Sequence, residues 1–248
     1  MMAGFWKPAL SHAVALTLVV CALWQQPTTA QQRSPSAEKM AAIDQYLIAD
    51  RSSEIALARS AAPKAISDGA TILVLTRSGY ETAVKGKNGF VCVVDRSWHA
   101  AFALPEFWNP KVRAPTCYNP QAVRSVLPAI QKRTEWAFTG LSKAEIIARV
   151  RTAFEKKELG PPEAGAMAYM TSKQQYIDDS NRQLVPHLMF YMTNRVSGAD
   201  WGANLPQSPV GLHGPEKLPD GTREPLTVFV VPVAQWSDGS DATPHKKP

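Results

Sequence analysis

Apolar residues recur at three- and four-residue spacing through Met40, Ile43, Tyr46 and Leu47, and again through Ile55, Leu57 and Ala58. That period places them on one side of a helix, so the chain from Glu38 is read as two helical pieces separated by "DRSS". Ser53 is a candidate cap for the second piece, and Pro63 a stop. The pattern then changes. Residues 70–77, "ATILVLTR", form a β-branched apolar run after Asp68 and Gly69, which predicts a largely buried strand. Next comes "VKGKNGFVCVVDRSW" at 84–98, where Asn88 and Gly89 between apolar runs predict a hairpin turn, because both central residues must accept positive φ. Val84 then faces Val93, or Val91 if the loop is longer. Either register puts Val84, Val91 and Val93 on one face and Cys92 on the other with Ala83 and Lys85.

Prolines at 105, 110, 115 and 120 make the following stretch irregular. Asn119 and Pro120 then fit the cap and first turn of a helix running towards Trp136 and Phe138, with a kink or break expected at Pro128. In "LSKAEIIARVRTAFEKKELGPP", Ser142 and Glu145 make a capping box and Leu141 and Ile146 its hydrophobic staple, while Gly160 and Pro161 stop the helix. Strands are expected at 164–172, 184–193 and 226–236. Together these elements predict an α+β fold: a mixed or mainly antiparallel sheet of about five or six strands with helices packed on one face. A single globular domain over 38–236 is expected, followed by a disordered tail at 237–248. Residues 197–224 hold several prolines and no periodicity, but carry Trp201, Leu205, Val210, Leu212 and Leu218, and so are read as a packed lid.

The first thirty residues change the cellular picture. Lys7 precedes an apolar run from Ala13 to Trp24 that is too short to span a bilayer comfortably, and Thr28 and Ala30 give small residues before a cleavage point at Gln31. Residues 1–30 are therefore read as a signal peptide and 31–37 as a flexible lead. No membrane span is expected once the signal is removed, and the product is expected to be exported, periplasmic or secreted. Removing Lys7 lowers the formal charge of +6 by one, and the rest shows no basic stripe or nucleic-acid module. Nucleic acid is accordingly excluded as a partner. Cys92 and Cys117, the two cysteines left after export, read as a disulfide.

Candidate chemistry is sparse. No Ser or Thr follows a Gly-Lys pair, and a strand rather than a helix follows "KGKNG", so a phosphate-binding loop is rejected. Cys92 lies mid-strand without a base beside it in sequence, no GxSxG occurs, and His99, His187, His213 and His245 are scattered without metal spacing. No cofactor or metal is implied. Trp98, Phe107, Trp108, Tyr118, Trp136 and Trp201 are read first as loop anchors and second as a stacking pocket. The leading reading is a small molecule or envelope polymer bound under the 197–224 segment, contacted by His187, Asp200, Trp201 and His213. A hydrolase using His187 or His213 as general base with Asp200 as orienting partner is the alternative. A structural envelope interaction protein is the third.

The strings "ARSAAPKAI", "GYETAVKGKNGFVCVVDRSW", "PEFWNPKVRAPTCYNP", "PHLMFYMT" and "WGANLP" resemble a group of uncharacterised exported bacterial proteins of unknown function. The resemblance implies an exported bacterial product with one domain. It transfers no activity and no functional residue.

Overall fold

The apolar run expected as a strand does form one, and it lies between the two strands that follow it in sequence. The computed structural model describes residues 39–180, 184–215, 217, 218 and 220–242. Helices α1 (Arg51–Arg59) and α2 (Lys64–Ser67) precede strands β1 (Thr71–Thr76), β2 (Gly79–Val84), β3 (Val91–Asp95) and β4 (Ala114–Tyr118). Helices α3 (Pro120–Ser125), α4 (Leu127–Phe138) and α5 (Lys143–Glu155) follow, then β5 (Met167–Met170), β6 (His187–Thr193), β7 (Gly211–Leu212) and β8 (Leu226–Pro232). The strands make one mixed sheet of eight, ordered β2-β1-β3-β4-β5-β6-β8-β7. The α+β expectation stands, and the count of about five or six is corrected to eight: β4 forms within the proline-rich stretch read as irregular, where it pairs with β3, and β7 is only two residues long.

Asn88 and Gly89 do not make the expected hairpin. β2 folds back on β1 across Arg77 and Ser78, with Thr76 opposite Gly79, while β3 lies parallel to β1 on its other side. The segment between β2 and β3 therefore crosses the start of β1. Gly86 makes that crossing: a Cβ there would stand 2.2 Å from Ala70 C and Thr71 N. Lys87 N donates to Gly69 O at 2.8 Å, and the Asn88 side chain donates to Ile66 O at 2.7 Å. The glycines and asparagine of this stretch thus serve a tight backbone crossing.

Alternation then distributes side chains to two faces. Ile72, Cys92, Val94 and Cys117 pack with Ala58, Ala61 and Ala62 under α1, and Val84 joins this group. Leu73, Val91, Val93 and Tyr118 pack against Ala122, Val126, Leu127 and Ile130 of the α3–α4 region. Helices consequently cover both faces of the sheet, which corrects the one-face expectation and also separates Val84 from Val91 and Val93. Cys92 and Cys117 are direct cross-strand partners in β3 and β4, with Cα atoms 3.9 Å apart, and form a buried disulfide.

Local signals held unevenly. Ser142 and Glu145 form the capping box at α5, with Glu145 N donating to Ser142 Oγ at 3.3 Å and Ser142 N donating to Glu145 Oε2 at 2.7 Å. The break before Pro128 falls at Val126, between α3 and α4. The helix expected from Glu38 reduces to a 3-10 turn at Ile43–Gln45, and Asp50 rather than Ser53 caps α1, accepting from Ser52 N and Ser53 N. The expected disordered tail has a turn as far as Ala242: Trp236 N donates to Ser240 O at 2.9 Å and Ala242 N to Ala234 O at 2.7 Å. The signal peptide, the lead and residues 243–248 lie outside the described residues. No described helix is long and apolar enough to cross a membrane.

Candidate functional site

Strand β3 carries Val91 and Val93 into the apolar layer beneath α4, and the same alternation brings Asp95 into it at the strand end. Tyr118 donates its hydroxyl to Asp95 Oδ2 at 2.7 Å, and its ring stacks on Tyr191 of β6 at 6.1 Å. Burial pushes both phenols well above their ordinary range, so they remain protonated donors. Asp95 Oδ1 has no hydrogen-bond partner, although it is buried and 2.9 Å from His99 Nδ1.

His99 sits on the turn that follows β3. Its Nδ1 lies 3.2 Å from Arg96 N and 2.9 Å from Asp95 Oδ1, and its Nε2 lies 2.8 Å from Thr134 Oγ1. Thr134 accepts from Trp98 Nε1 at 3.1 Å and passes its own proton to Ile130 O at 3.1 Å. Every role of the hydroxyl is thereby filled. Burial holds His99 below the usual histidine range, with Asp95 opposing the shift.

Arg133, on the buried side of α4, is 8% exposed. Its Nη2 donates to Ala100 O at 2.7 Å, its guanidinium lies 4.1 Å above the Phe102 ring, and Nε is buried without a partner. Among the described residues no carboxylate oxygen comes within 4.0 Å of it. Glu224 and Asp95 act on it only through longer-range attraction, and burial draws its pKa down to about 10.

A strap formed by the described residues of 211–224 closes over this polar cluster. His213 N donates to Val228 O at 2.9 Å, extending the pairing of β7 with β8. Gly214, at φ +96°, comes so close to Ala101 that a Cβ would stand 2.9 Å from the alanine methyl. Leu218 is buried in a second core with Trp98, Phe107, Trp108 and Ile146. The Glu224 carboxylate accepts from Phe102 N, while Arg151 reaches Asp220 at 3.2 Å. Trp98, Phe107 and Trp108 are thus core anchors.

The four residues expected to share a ligand are divided between the two sides of the sheet. His187 alternates with Met189 and Tyr191 on the α4 side, and His213, opposite Val228, joins that side. His187 is buried, and its Nδ1–H donates to Val185 O at 2.8 Å. Burial lowers its pKa. Burial, then the His187 ring, then Arg133 push His213 down to about 4. Trp201 instead stacks on Phe229 at 4.4 Å and 5°, and Phe229 pairs with Phe190 on the other side. Asp200 is exposed and accepts from Ser197 N at 2.7 Å, so it does not orient either imidazole. Asp95, Arg133 and Glu224, which sequence reasoning did not select, complete the cluster; only Asp95 carried a signal, as a carboxylate ending a fully apolar strand. Among the described residues no group of three His, Cys, Asp or Glu side chains is arranged to hold a metal ion. No known protein family matches the chain, and neither a curated protein nor a solved structure matches it.

Proposed function

We propose that this protein binds a small molecule through an anionic group placed on Arg133, in the region bounded by β6, β8, α4 and the strap. The observation that carries the reading is an arginine only 8% exposed, whose guanidinium has one protein acceptor and no carboxylate within 4.0 Å among the described residues. An uncompensated buried charge costs several kcal/mol, and a carboxylate or phosphate presents the paired oxygens that a guanidinium fork favours. His187 and His213, both neutral at pH 7, supply ring nitrogens at the same face without adding repulsion between cations. The Cys92–Cys117 bridge supports export to an oxidising compartment, periplasmic or extracellular, as does the resemblance to exported bacterial proteins.

Calorimetric titration with acetate, succinate, phosphate and sulfate tests the assignment. The wild-type protein binds at least one of them saturably, and Arg133→Gln abolishes that binding. Binding of equal strength in the variant, or none in the wild type, contradicts the proposal.

Hydrolysis with His187 or His213 as base is a second reading, favoured by the neutral state that a general base requires. Panels of esters, amides and glycosides are then turned over by the wild type and not by His187→Ala or His213→Ala; equal turnover in all three removes this reading.

A further inference from the structure

The strap carries its own carboxylate towards Arg133. Of the charges that pull on the guanidinium, Glu224 exerts the largest attraction and Asp95 the next. Glu224 is nevertheless held elsewhere: its Oε1 accepts from Phe102 N, and Phe102 is the residue whose ring lies 4.1 Å from the guanidinium. Lys143 adds a second cation that attracts the same carboxylate, with its Nζ 3.3 Å from Leu104 O and 5.2 Å from the Phe107 ring. One loop thus holds Arg133 by the Ala100 carbonyl and the Phe102 ring, and holds Glu224 by the Phe102 amide.

The hold on Glu224 is weak for so cationic a setting. Burial raises its carboxyl pKa even though Arg133, the amides of Phe102 and Ala103, and Lys143 all oppose the shift. The residue keeps some contact with solvent and stands two positions before β8 begins at Leu226. An external anion at Arg133 adds a second negative charge beside the first, and two like charges around one cation repel each other. The incoming anion makes the paired contact with the guanidinium that Glu224, tied to Phe102, does not make. Given Arg133 as the anion site, on which this step rests, we propose that Glu224 is a built-in competitor: an anion arriving at Arg133 displaces the Glu224 carboxylate from Phe102 N and frees that end of the strap. Leu218 in the core and the Arg151–Asp220 pair keep the rest of the strap docked.

The test titrates acetate, succinate, phosphate and sulfate into the wild type, Glu224→Ala and Glu224→Asp while following the Phe102 amide resonance. The first variant removes the competing carboxylate; the second keeps the charge but withdraws it from Phe102 N by one methylene. Both bind the anion roughly threefold to tenfold more tightly than the wild type. In the wild type the Phe102 amide resonance moves saturably towards its position in Glu224→Ala. Tighter binding by Glu224→Ala alone, with Glu224→Asp like the wild type, reduces Glu224 to a distant charge and overturns the displacement. A wild-type Phe102 amide that stays in place while the anion binds also overturns it, and leaves the Arg133 site standing. Absence of saturable binding in all three proteins removes the Arg133 reading and the displacement together.

Discussion

Arg96 donates to Glu54 Oε1 at 2.9 Å with both side chains out of solvent, tying the turn after β3 to α1. The same carboxylate oxygen accepts from Leu75 N at 3.0 Å, and Arg96 Nε donates to Tyr46 O at 2.8 Å. One buried pair thus joins α1, β1 and the segment that positions His99. It also shows how this chain compensates a buried guanidinium, which makes the contrast with Arg133 informative.

Glu54→Ala removes one partner and leaves the Arg96 charge buried. The expected loss is about 3–5 kcal/mol of unfolding free energy by urea denaturation. Glu81→Ala, which breaks the exposed pair with Arg51, costs less than about 1 kcal/mol. Equal effects from the two variants contradict the assignment of burial as the cause.

The disulfide is tested by intact mass and by replacement. Protein recovered from an oxidising compartment is two hydrogens lighter than after reduction. The Cys92→Ala, Cys117→Ala double variant loses roughly 3–4 kcal/mol and no longer responds to reductant. Two free thiols in protein recovered from that compartment defeat the bridge.

Gly86→Ala places a methyl against the backbone of Ala70 and Thr71, at 2.2 Å. The β2–β3 crossing must then open, at a cost of about 3 kcal/mol or more. Gly160→Ala, where nothing lies within 4 Å, changes stability by less than about 0.5 kcal/mol. Chemical denaturation of both variants checks the pair.

That crossing also marks where sequence stops being informative. Asn88 and Gly89 have the local chemistry of a hairpin, but turn chemistry does not reveal that β1 already occupies the position between β2 and β3. The α5 capping box, by contrast, is read correctly because all its partners lie within four residues. The site divides along the same line. Alternation put His187 with Met189 and Tyr191, yet only the stacking of Trp201 on Phe229 decides that the first half of the 197–224 segment lies on the other face. Arg133 stands beside Lys132 in α4 with nothing local to tell the two apart, and its burial rests on Ala100 and Phe102, in a loop some thirty residues earlier in the chain.

Stability should fall with acid in a defined window. In the folded state His213 titrates at about 4, below the ordinary value near 6.5, so below pH 6.5 the unfolded chain binds a proton that the folded chain refuses. The contribution is present above pH 6.5 and is lost progressively down to pH 4. It amounts to on the order of 2 kcal/mol, less than the full shift because the ring keeps some solvent contact. His187 and His99 shift in the same direction. His213→Gln flattens the stability profile between these limits, as thermal unfolding across pH reports; an unchanged slope contradicts the burial of the ring.

The central claim concerns Arg133, and its side-chain Nε–H resonance reads it most directly. Titration with the best-binding anion of the carboxylate, phosphate and sulfate set should shift that resonance saturably, while the resonance of Arg96, already paired with Glu54, stays in place. His213 should titrate above about 4 in the same sample, because the bound anion offsets the guanidinium charge that depresses it. An Arg133 resonance that does not move at saturating anion, with His213 unchanged, would contradict the account.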